Sequence, residues 1–316
     1  MTSTAARRRP TWSALPRGVR AAIEQRLGAR VTGATSHDGG YSPGLASTLM
    51  TPDGPVFVKA VAVEHEFSAR VYRQEVQRFA VLPAGTPAPQ ARWALEIDDD
   101  GGWVAIAFDA VAGRTPGTPL VGVDLDAVAR LALEIGTHRI APGLLPELID
   151  ELPHTHVAGL ADARPAGLAT YDPWFAANLD ALAAIEQDVP DAVRGDALVH
   201  GDLRGDNAVL LGEGEGLWAV AVDWPYAGRG CAFVDLVAML PAVHAGGGPA
   251  PEVVLARHPL PQGTEDDAVT AVLVALAGYF VASSLDAPPP GIPHLRAFQR
   301  AQGEASVAWL RRRLGS

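Results

Sequence analysis

Apolar positions alternate on both sides of a short polar break near residue 52. The run Leu45–Met50 leads into Thr51-Pro52-Asp53-Gly54 and then into Val56-Phe57-Val58-Lys59-Ala60-Val61. A period of two marks strands, and Pro-Asp-Gly between them marks a tight turn, so this stretch predicts a β-hairpin within strands at about 31–61. Two later apolar runs, 91–97 and 103–108, flank Asp98-Asp99-Asp100-Gly101-Gly102, which reads as a second turn. The period changes over 64–82, where at roughly 100° per residue Phe67, Val71, Tyr72, Phe79 and Leu82 fall on one sector of a helix. Glu75 lands in the middle of that sector, whereas Glu66, Arg70 and Arg73 face the solvated side. An earlier helix is bracketed by Pro16 and Gly28, with Ile23 and Leu27 on one face.

Pro116 and Pro119 mark a boundary, beyond which Asp124 opens a helix running to about 139 and helical patterns dominate. Residues 268–284 carry no charge, but the span is short of the ~20 residues a membrane crossing needs and is interrupted by Gly278, Ser283 and Ser284. Thr264 followed by Asp267 supplies a capping-box start, so the span reads as a buried helix. The expected class is α+β, with a small β-rich domain at 1–112 and a larger, mainly helical domain at 113–316. A chain of 316 residues that is 48% hydrophobic can bury cores of that number and size.

Composition narrows the setting. Cys231 is the lone cysteine, which excludes an intramolecular disulfide and fits a reducing cytoplasm. Arg7-Arg8-Arg9 is not followed by the apolar stretch of an export signal and reads as a disordered, solvated head. Neither a nucleic-acid nor a membrane partner is expected, and the oligomeric state is left open.

Candidate chemistry is densest at Leu198-Val199-His200-Gly201-Asp202-Leu203-Arg204-Gly205-Asp206-Asn207, with Ala219-Val220-Ala221-Val222-Asp223-Trp224 following. Each apolar run would deliver polar residues at a strand end. Asn207 and Asp223 offer hard oxygen ligands that suit Mg²⁺, which keeps several waters and shares its other sites with phosphates. Asp202 is then left to accept a proton from an attacking hydroxyl. Taken singly these are also turn formers, and Asp202 with Asp206 would serve equally as caps of a tight turn.

The spacing His-x-Asp with Asn five residues on resembles the catalytic loop of the aminoglycoside phosphotransferase family, relatives of the protein kinases. The resemblance implies a protein-kinase-like two-lobed fold, Asp202 as catalytic base, Asn207 and Asp223 as magnesium ligands, and His200 bracing the loop. Asp235, after the stretch beginning at Gly228, then looks like an internal brace. The resemblance also gives Phe108-Asp109-Ala110-Val111-Ala112-Gly113-Arg114 the place of the hinge, where backbone groups near Asp109 and Val111 would hydrogen-bond adenine. It is strongest over 36–114 and 198–240. Pro225 departs from the pattern, since many relatives carry a polar residue there, and this puts any role for that position in doubt.

Lys59 is the only lysine among 25 basic residues. A lysine that survives such a bias to arginine points to a site that wants a compact ammonium on a flexible stem. It sits where the family's nucleotide-binding lysine does, and Glu75, sixteen residues later, matches the family's ion-pair partner. Burying Glu75 unpaired would cost several kcal/mol, so a partner is expected on physical grounds as well. Ahead of the hairpin, Gly39, Gly40 and Gly44 would let backbone amides approach phosphates, with Ser42 between them, although a loop without a ligand explains them as well.

Two other motifs fail. Gly40-Tyr41-Ser42-Pro43-Gly44 matches Gly-x-Ser-x-Gly, but strand signals follow the serine where a hydrolase elbow needs a helix, and Pro43 removes an amide. A Walker loop needs Gly-Lys-Ser/Thr, and Lys59 is flanked by Val58 and Ala60.

The expected activity is transfer of the γ-phosphoryl of ATP or GTP to a hydroxyl of a small molecule, with Mg²⁺. The competing reading is a catalytically silent relative that only binds. Nine acidic residues stand against Arg164 between Glu147 and Asp191, a local charge of 1 − 9 = −8 out of −11 overall. Either this is a solvated face, or it attracts a cationic acceptor such as an aminoglycoside or another aminated antibiotic or sugar.

Overall fold

The computed structural model describes residues 9–37, 42–288 and 295–315. By internal contacts the chain divides into two units. The first comprises Met1–Leu82, Ala88–Gly113 and Val222–Pro225, and the second Pro83–Pro87, Arg114–Ala221 and Tyr226–Ser316. The four residues that carry Asp223 thus pack with the N-terminal unit although they lie far along the chain.

In the first unit α1 (Arg17–Leu27) precedes β1 (Gly33–Ser36), β2 (Leu45–Thr51) and β3 (Gly54–Ala62), then α2 (Glu66–Phe79), β4 (Ala91–Ile97) and β5 (Trp103–Asp109). The strands form one antiparallel sheet in the order β1-β2-β3-β5-β4. The expected hairpin closes at Pro52-Asp53, pairing Thr51 with Gly54. Pro16 and a left-handed Gly28 (φ 72°) bound α1 as anticipated.

Alternation along β3 sorts its side chains between two covers. Val56, Val58 and Ala60 join Val19 and Ile23 of α1, Leu45 and Leu49 of β2, and Ala105 and Ala107 of β5 in one core. Val61, with Phe57 at its edge, joins Val104, Ile106 and Phe108 of β5 and Ala69, Tyr72, Val76 and Phe79 of α2 in the other. Lys59 has the parity of Phe57 and Val61, so strand geometry alone points it to the α2 side.

The helical phase of α2 differs from the sequence expectation at one end. Phe67 is 64% exposed, with the Arg70 guanidinium 5.3 Å from its ring centroid. The buried sector is instead Ala69, Tyr72, Glu75 and Arg78. In the first turn it is Ala69 that packs on the sheet, while Phe67 stays outside that core.

The second unit is mainly helical. It contains α3 (Gly122–Ile135), α4 (Leu148–Glu151), α5 (His156–Ala163), α6 (Gly167–Tyr171), α7 (Pro173–Ala177), α8 (Leu179–Glu186) and α9 (Val189–Ala192). Four short strands follow, β6 (Ala197–Val199), β7 (Ala208–Leu211), β8 (Trp218–Ala221) and β9 (Gly228–Gly230), paired as β6 with β9 and β7 with β8. The chain ends in α10 (Val234–Ala245), α11 (Pro251–Arg257), α12 (Asp266–Leu285) and α13 (Leu295–Arg313). Helix α12 is long and apolar enough to cross a membrane by length and composition, yet it is the core helix of this unit, with Ala271 through Ala275 fully buried.

The capping-box start of α12 is corrected. Its N-cap is Glu265, with no side-chain cap bond, and the Thr264 hydroxyl donates backwards to the Pro261 carbonyl at 2.7 Å. The turn preceding the helix claims that hydroxyl first.

Helix α1 holds its face of the sheet with two fully buried aliphatic side chains, Val19 and Ile23. Ile23→Ala is expected to lower stability by about 2–5 kcal/mol in urea unfolding, the usual cost of a buried isoleucine plus its cavity. A loss under about 1 kcal/mol would show that α1 contributes little to that core.

Candidate active site

Lys59 lies inside β3, opposite Ala46 on one side and Ile106 on the other, and is almost wholly buried. Its ammonium donates to both carboxylate oxygens of Glu75 at 2.9 Å and is also paired with Asp223. Glu75 is 1% exposed. Burial works against the charge on Lys59, but the carboxylates of Asp223 and Glu75 outweigh it and raise its pKa. The rings of Tyr72 and Phe108 lie 5.7 and 5.8 Å from the ammonium and close the site with apolar surface. The partner that the position of Glu75 demanded is therefore present.

Asp223 has φ 64°, in the left-handed region that few residues besides glycine adopt and that Asp tolerates better than most. The next residue, Trp224, is fully buried, with its ring 6.4 Å from that of Phe79. Its backbone amide donates to Glu75. An anchored indole on one side and an ion pair on the other hold Asp223 in this conformation. Pro225 is buried and offers no polar side chain.

The second group of candidates lies between β6 and β7. His200 is fully buried, and its Nδ1 accepts from the Asp202 amide at 3.3 Å. Asp235, at the start of α10, accepts from the amides of His200 at 2.7 Å and Gly201 at 3.0 Å. It is the internal brace expected from the sequence. Gly201 has φ 81°, and a Cβ there would come within 2.5 Å of the Tyr226 carbonyl oxygen, so no other residue fits between His200 and Asp202.

Asp202 is held at both oxygens. The Arg204 Nη1 donates to Oδ1 at 2.9 Å, and the Asn207 Nδ2 donates to Oδ2 at 3.1 Å and to the Asp202 carbonyl at 2.8 Å. With its amide nitrogen committed to these acceptors, Asn207 keeps its side-chain oxygen as the atom for a ligand. Arg204 also grips Asp206 through two bonds of 3.0 Å, and its guanidinium lies 5.7 Å from the ring centroid of Phe298 in α13. Sequence reasoning missed Arg204. The signal was available, a cation between two carboxylates in the His200–Asn207 motif.

Other candidates fall as follows. Gly39 and Gly40 lie outside the described residues. The Ser42 hydroxyl is 3.0 Å from the Tyr72 hydroxyl and accepts from the Gly44 amide at 3.2 Å, and β2 follows it, which rules out the hydrolase elbow. Asp109 is paired with Arg92 at 2.6 Å, its amide donates to the Gln90 carbonyl at 2.9 Å, and the Val111 carbonyl accepts from Gly113 at 3.0 Å.

The acidic segment is engaged in structure to a degree the sequence did not reveal. Glu186 is buried and accepts from the amides of Val157 and Ala158, at the start of α5, at 3.0 and 2.9 Å. Asp172 caps α7 by accepting from the Phe175 amide at 2.8 Å. Glu147, Asp180 and Asp191 pair with Arg229, Arg164 and Arg194. Five of the nine acidic residues thus have local partners, three of them arginines.

Among the described residues no cluster of three or more His, Cys, Asp or Glu could hold a metal. Mg²⁺ needs no such cluster, since it binds through one or two protein oxygens and otherwise through water and phosphate.

The model of the phosphotransferase enzyme family matches residues 49–273, more than half of the chain. Among solved structures, a thermostable mutant of the aminoglycoside phosphotransferase APH(4)-Ia, in ternary complex with AMP-PNP and hygromycin B, superposes with a TM-score of 0.62 at 14% identity, covering 94% of this chain and 98% of that one. Spectinomycin phosphotransferase APH(9)-Ia, in complex with ADP and spectinomycin, gives 0.58 at 11% identity over 92% and 97% of the two chains. Choline kinase LicA from Streptococcus pneumoniae gives 0.57 at 13% identity over 93% and 98%. At these identities the likeness establishes the protein-kinase-like fold. No curated protein matches the sequence.

The loop brace carries a pH signature. Burial pushes the Asp235 carboxyl from the ordinary 3.8 up to about 6, against the pull of the His200 and Gly201 amides. Because the folded value is the higher one, this contribution to stability is complete below about pH 4 and is lost as pH rises through about 6. Relative to Asp235→Asn, which cannot titrate, the wild-type protein is expected to lose up to about 3 kcal/mol between pH 4 and 6.5 in urea unfolding. A constant difference across that range would show that Asp235 does not titrate there.

Proposed function

The chain belongs to the phosphotransferase enzyme family, and we propose that it transfers the γ-phosphoryl group of ATP or GTP to a hydroxyl of a small molecule. The observation that carries this reading is the buried ammonium of Lys59 held by Glu75 and Asp223, a charge with no structural need in an otherwise apolar sheet face. A buried ion pair adds little stability over well-packed apolar residues, which favours a role in binding anions.

In this reading Lys59 binds the nucleotide phosphates and Glu75 fixes its position. The base edge is taken by backbone groups at Asp109 and Val111. The loop of Ser42 covers the phosphates, with Gly39 and Gly40 ahead of it. Asn207 and Asp223 would hold Mg²⁺, whose charge would offset that of the phosphates. Asp202 orients the acceptor hydroxyl and takes its proton as the acceptor oxygen bonds to the γ-phosphorus. The bond from that phosphorus to the bridging oxygen breaks, and the nucleoside diphosphate leaves. Most of the catalysis is positioning, which suits a base clamped at both oxygens.

The acceptor is a hydroxylated small molecule. An aminated acceptor remains part of the reading, but the acidic segment supports it less than its bulk charge suggested, because Glu147, Asp172, Asp180, Glu186 and Asp191 already serve local partners. The solved relatives extend to a choline kinase and an aminopropanol kinase, so amine-bearing alcohols belong in the screen beside antibiotics.

Acceptor-dependent release of ADP or GDP across such a panel tests the reading. Asp202→Asn is expected to cut turnover by about 10²-fold or more while nucleotide affinity stays near wild type, since it removes the proton acceptor and no metal ligand. Near-full turnover in that variant would remove Asp202 from the role of base. Asp223→Ala should abolish the magnesium dependence of nucleotide binding in calorimetry, and Lys59→Arg should impair turnover. Magnesium-dependent nucleotide binding with no turnover for any acceptor would favour the silent binder.

A further inference from the structure

The Arg204 guanidinium stands between two carboxylates of its own loop, and all three of its nitrogens are engaged. Nη1 donates to Asp202 Oδ1 at 2.9 Å, while Nε and Nη2 donate to the two oxygens of Asp206 at 3.0 Å each. The ring centroid of Phe298 in α13 lies 5.7 Å from the guanidinium carbon. The Arg204 side chain is 20% exposed, against 34% for Asp202 and 46% for Asp206. A planar fork gripped side-on by one carboxylate cannot turn about its last torsion, and the aromatic ring covers one of its faces. The direction of Nη1 is therefore set by Asp206 and Phe298. Asp206, which the chemistry proposed above does not use, gains a place as the anchor of the fork.

The consequence falls on Asp202. Its Oδ2 accepts from the Asn207 amide at 3.1 Å, so with Arg204 on Oδ1 the carboxylate has a donor at each oxygen and a fixed plane. An isolated ion pair near the surface contributes little, because two long side chains lose their freedom to form it. Here the guanidinium is already immobilised by Asp206 and Phe298, so its bond to Asp202 needs little further ordering.

We propose that Arg204 is a positioning residue, which fixes the carboxylate of Asp202 in the orientation from which it receives the acceptor proton. Phe298 brings α13 into the same device by backing the guanidinium. This rests on the reading of Asp202 as the base.

With an acceptor that turns over in the panel above, Arg204→Ala is expected to lower kcat by about tenfold or more and to leave KM for the nucleotide within about twofold, since a displacement of about 1 Å at a reacting group costs on the order of 10²-fold in rate. A double-mutant cycle separates positioning from upkeep of the loop. In the Asp202→Asn background the same change should cost less than about twofold, because no base is left to orient. Phe298→Leu touches neither carboxylate and gives the answer if the alanine variant fails to fold. It should lower kcat by about two- to fivefold, the scale of a lost cation–π contact, and have no effect beside Asp202→Asn. Equal losses in the two backgrounds, or an unchanged kcat in both variants, would overturn the proposal. Full turnover in Asp202→Asn alone would instead overturn the base assignment, and this inference with it.

Discussion

The N-terminal unit is organised around one buried ammonium. Removing a charge from water costs several kcal/mol, and only close opposite charge with good hydrogen-bond geometry offsets it. Lys59 meets that condition through both oxygens of Glu75 and through Asp223. The requirement then propagates. Strand parity assigns Lys59 to the α2 face, and a slip of β3 by one residue would turn it into the core formed with α1, where Val19, Ile23 and Leu45 offer no carboxylate. Helix α2 must likewise present Glu75 inward, which fixes its rotation and places Tyr72 and Phe79 over β5. The short segment Val222–Pro225 packs with this unit because Asp223 and Trp224 complete the same network.

The loop from His200 to Asn207 solves a related problem with a different chemistry. A tight turn with a left-handed glycine leaves backbone amides pointing inward, and Asp235 accepts two of them from the first turn of α10. Here a carboxylate satisfies neutral donors. Burial raises its pKa, and it does the same at Glu75, where the charge of Lys59 opposes the shift. The same device recurs at Glu186 and Asp172, where inward carboxylates close the starts of α5 and α7. Acidic residues in the helical unit are first of all structural, which changes what its negative charge implies for an acceptor.

Local periodicity and turn chemistry made most elements legible. Both hairpins of the sheet, the two helices beside it and the apolar span of α12 follow from patterns that depend only on neighbours in sequence. The spacing of His200, Asp202 and Asn207, and the single lysine, were equally readable, since a loop motif and a compositional outlier need no coordinates. The pairing of Glu75 with a cation was legible from the cost of leaving a carboxylate inside an apolar sector.

What the sequence could not determine depends on which element lies opposite. Phe67 falls on the apolar sector drawn from the sequence yet is exposed, because the face of α2 that meets the sheet runs through Ala69, Tyr72 and Glu75. The Thr264 hydroxyl has two acceptable local partners, and the turn rather than the helix obtained it. Arg204 looks like a generic charge in the chain. It acquires meaning from Asp202, Asp206 and Phe298, groups brought to it by folding. Sequence by itself determined periodicity, the bounds of α1 and the spacing of His200, Asp202 and Asn207, because those are set by covalent geometry and short-range sterics. Only tertiary structure decided which charges are matched and which faces are covered, because burial and electrostatic pairing are properties of surfaces that meet far apart along the chain.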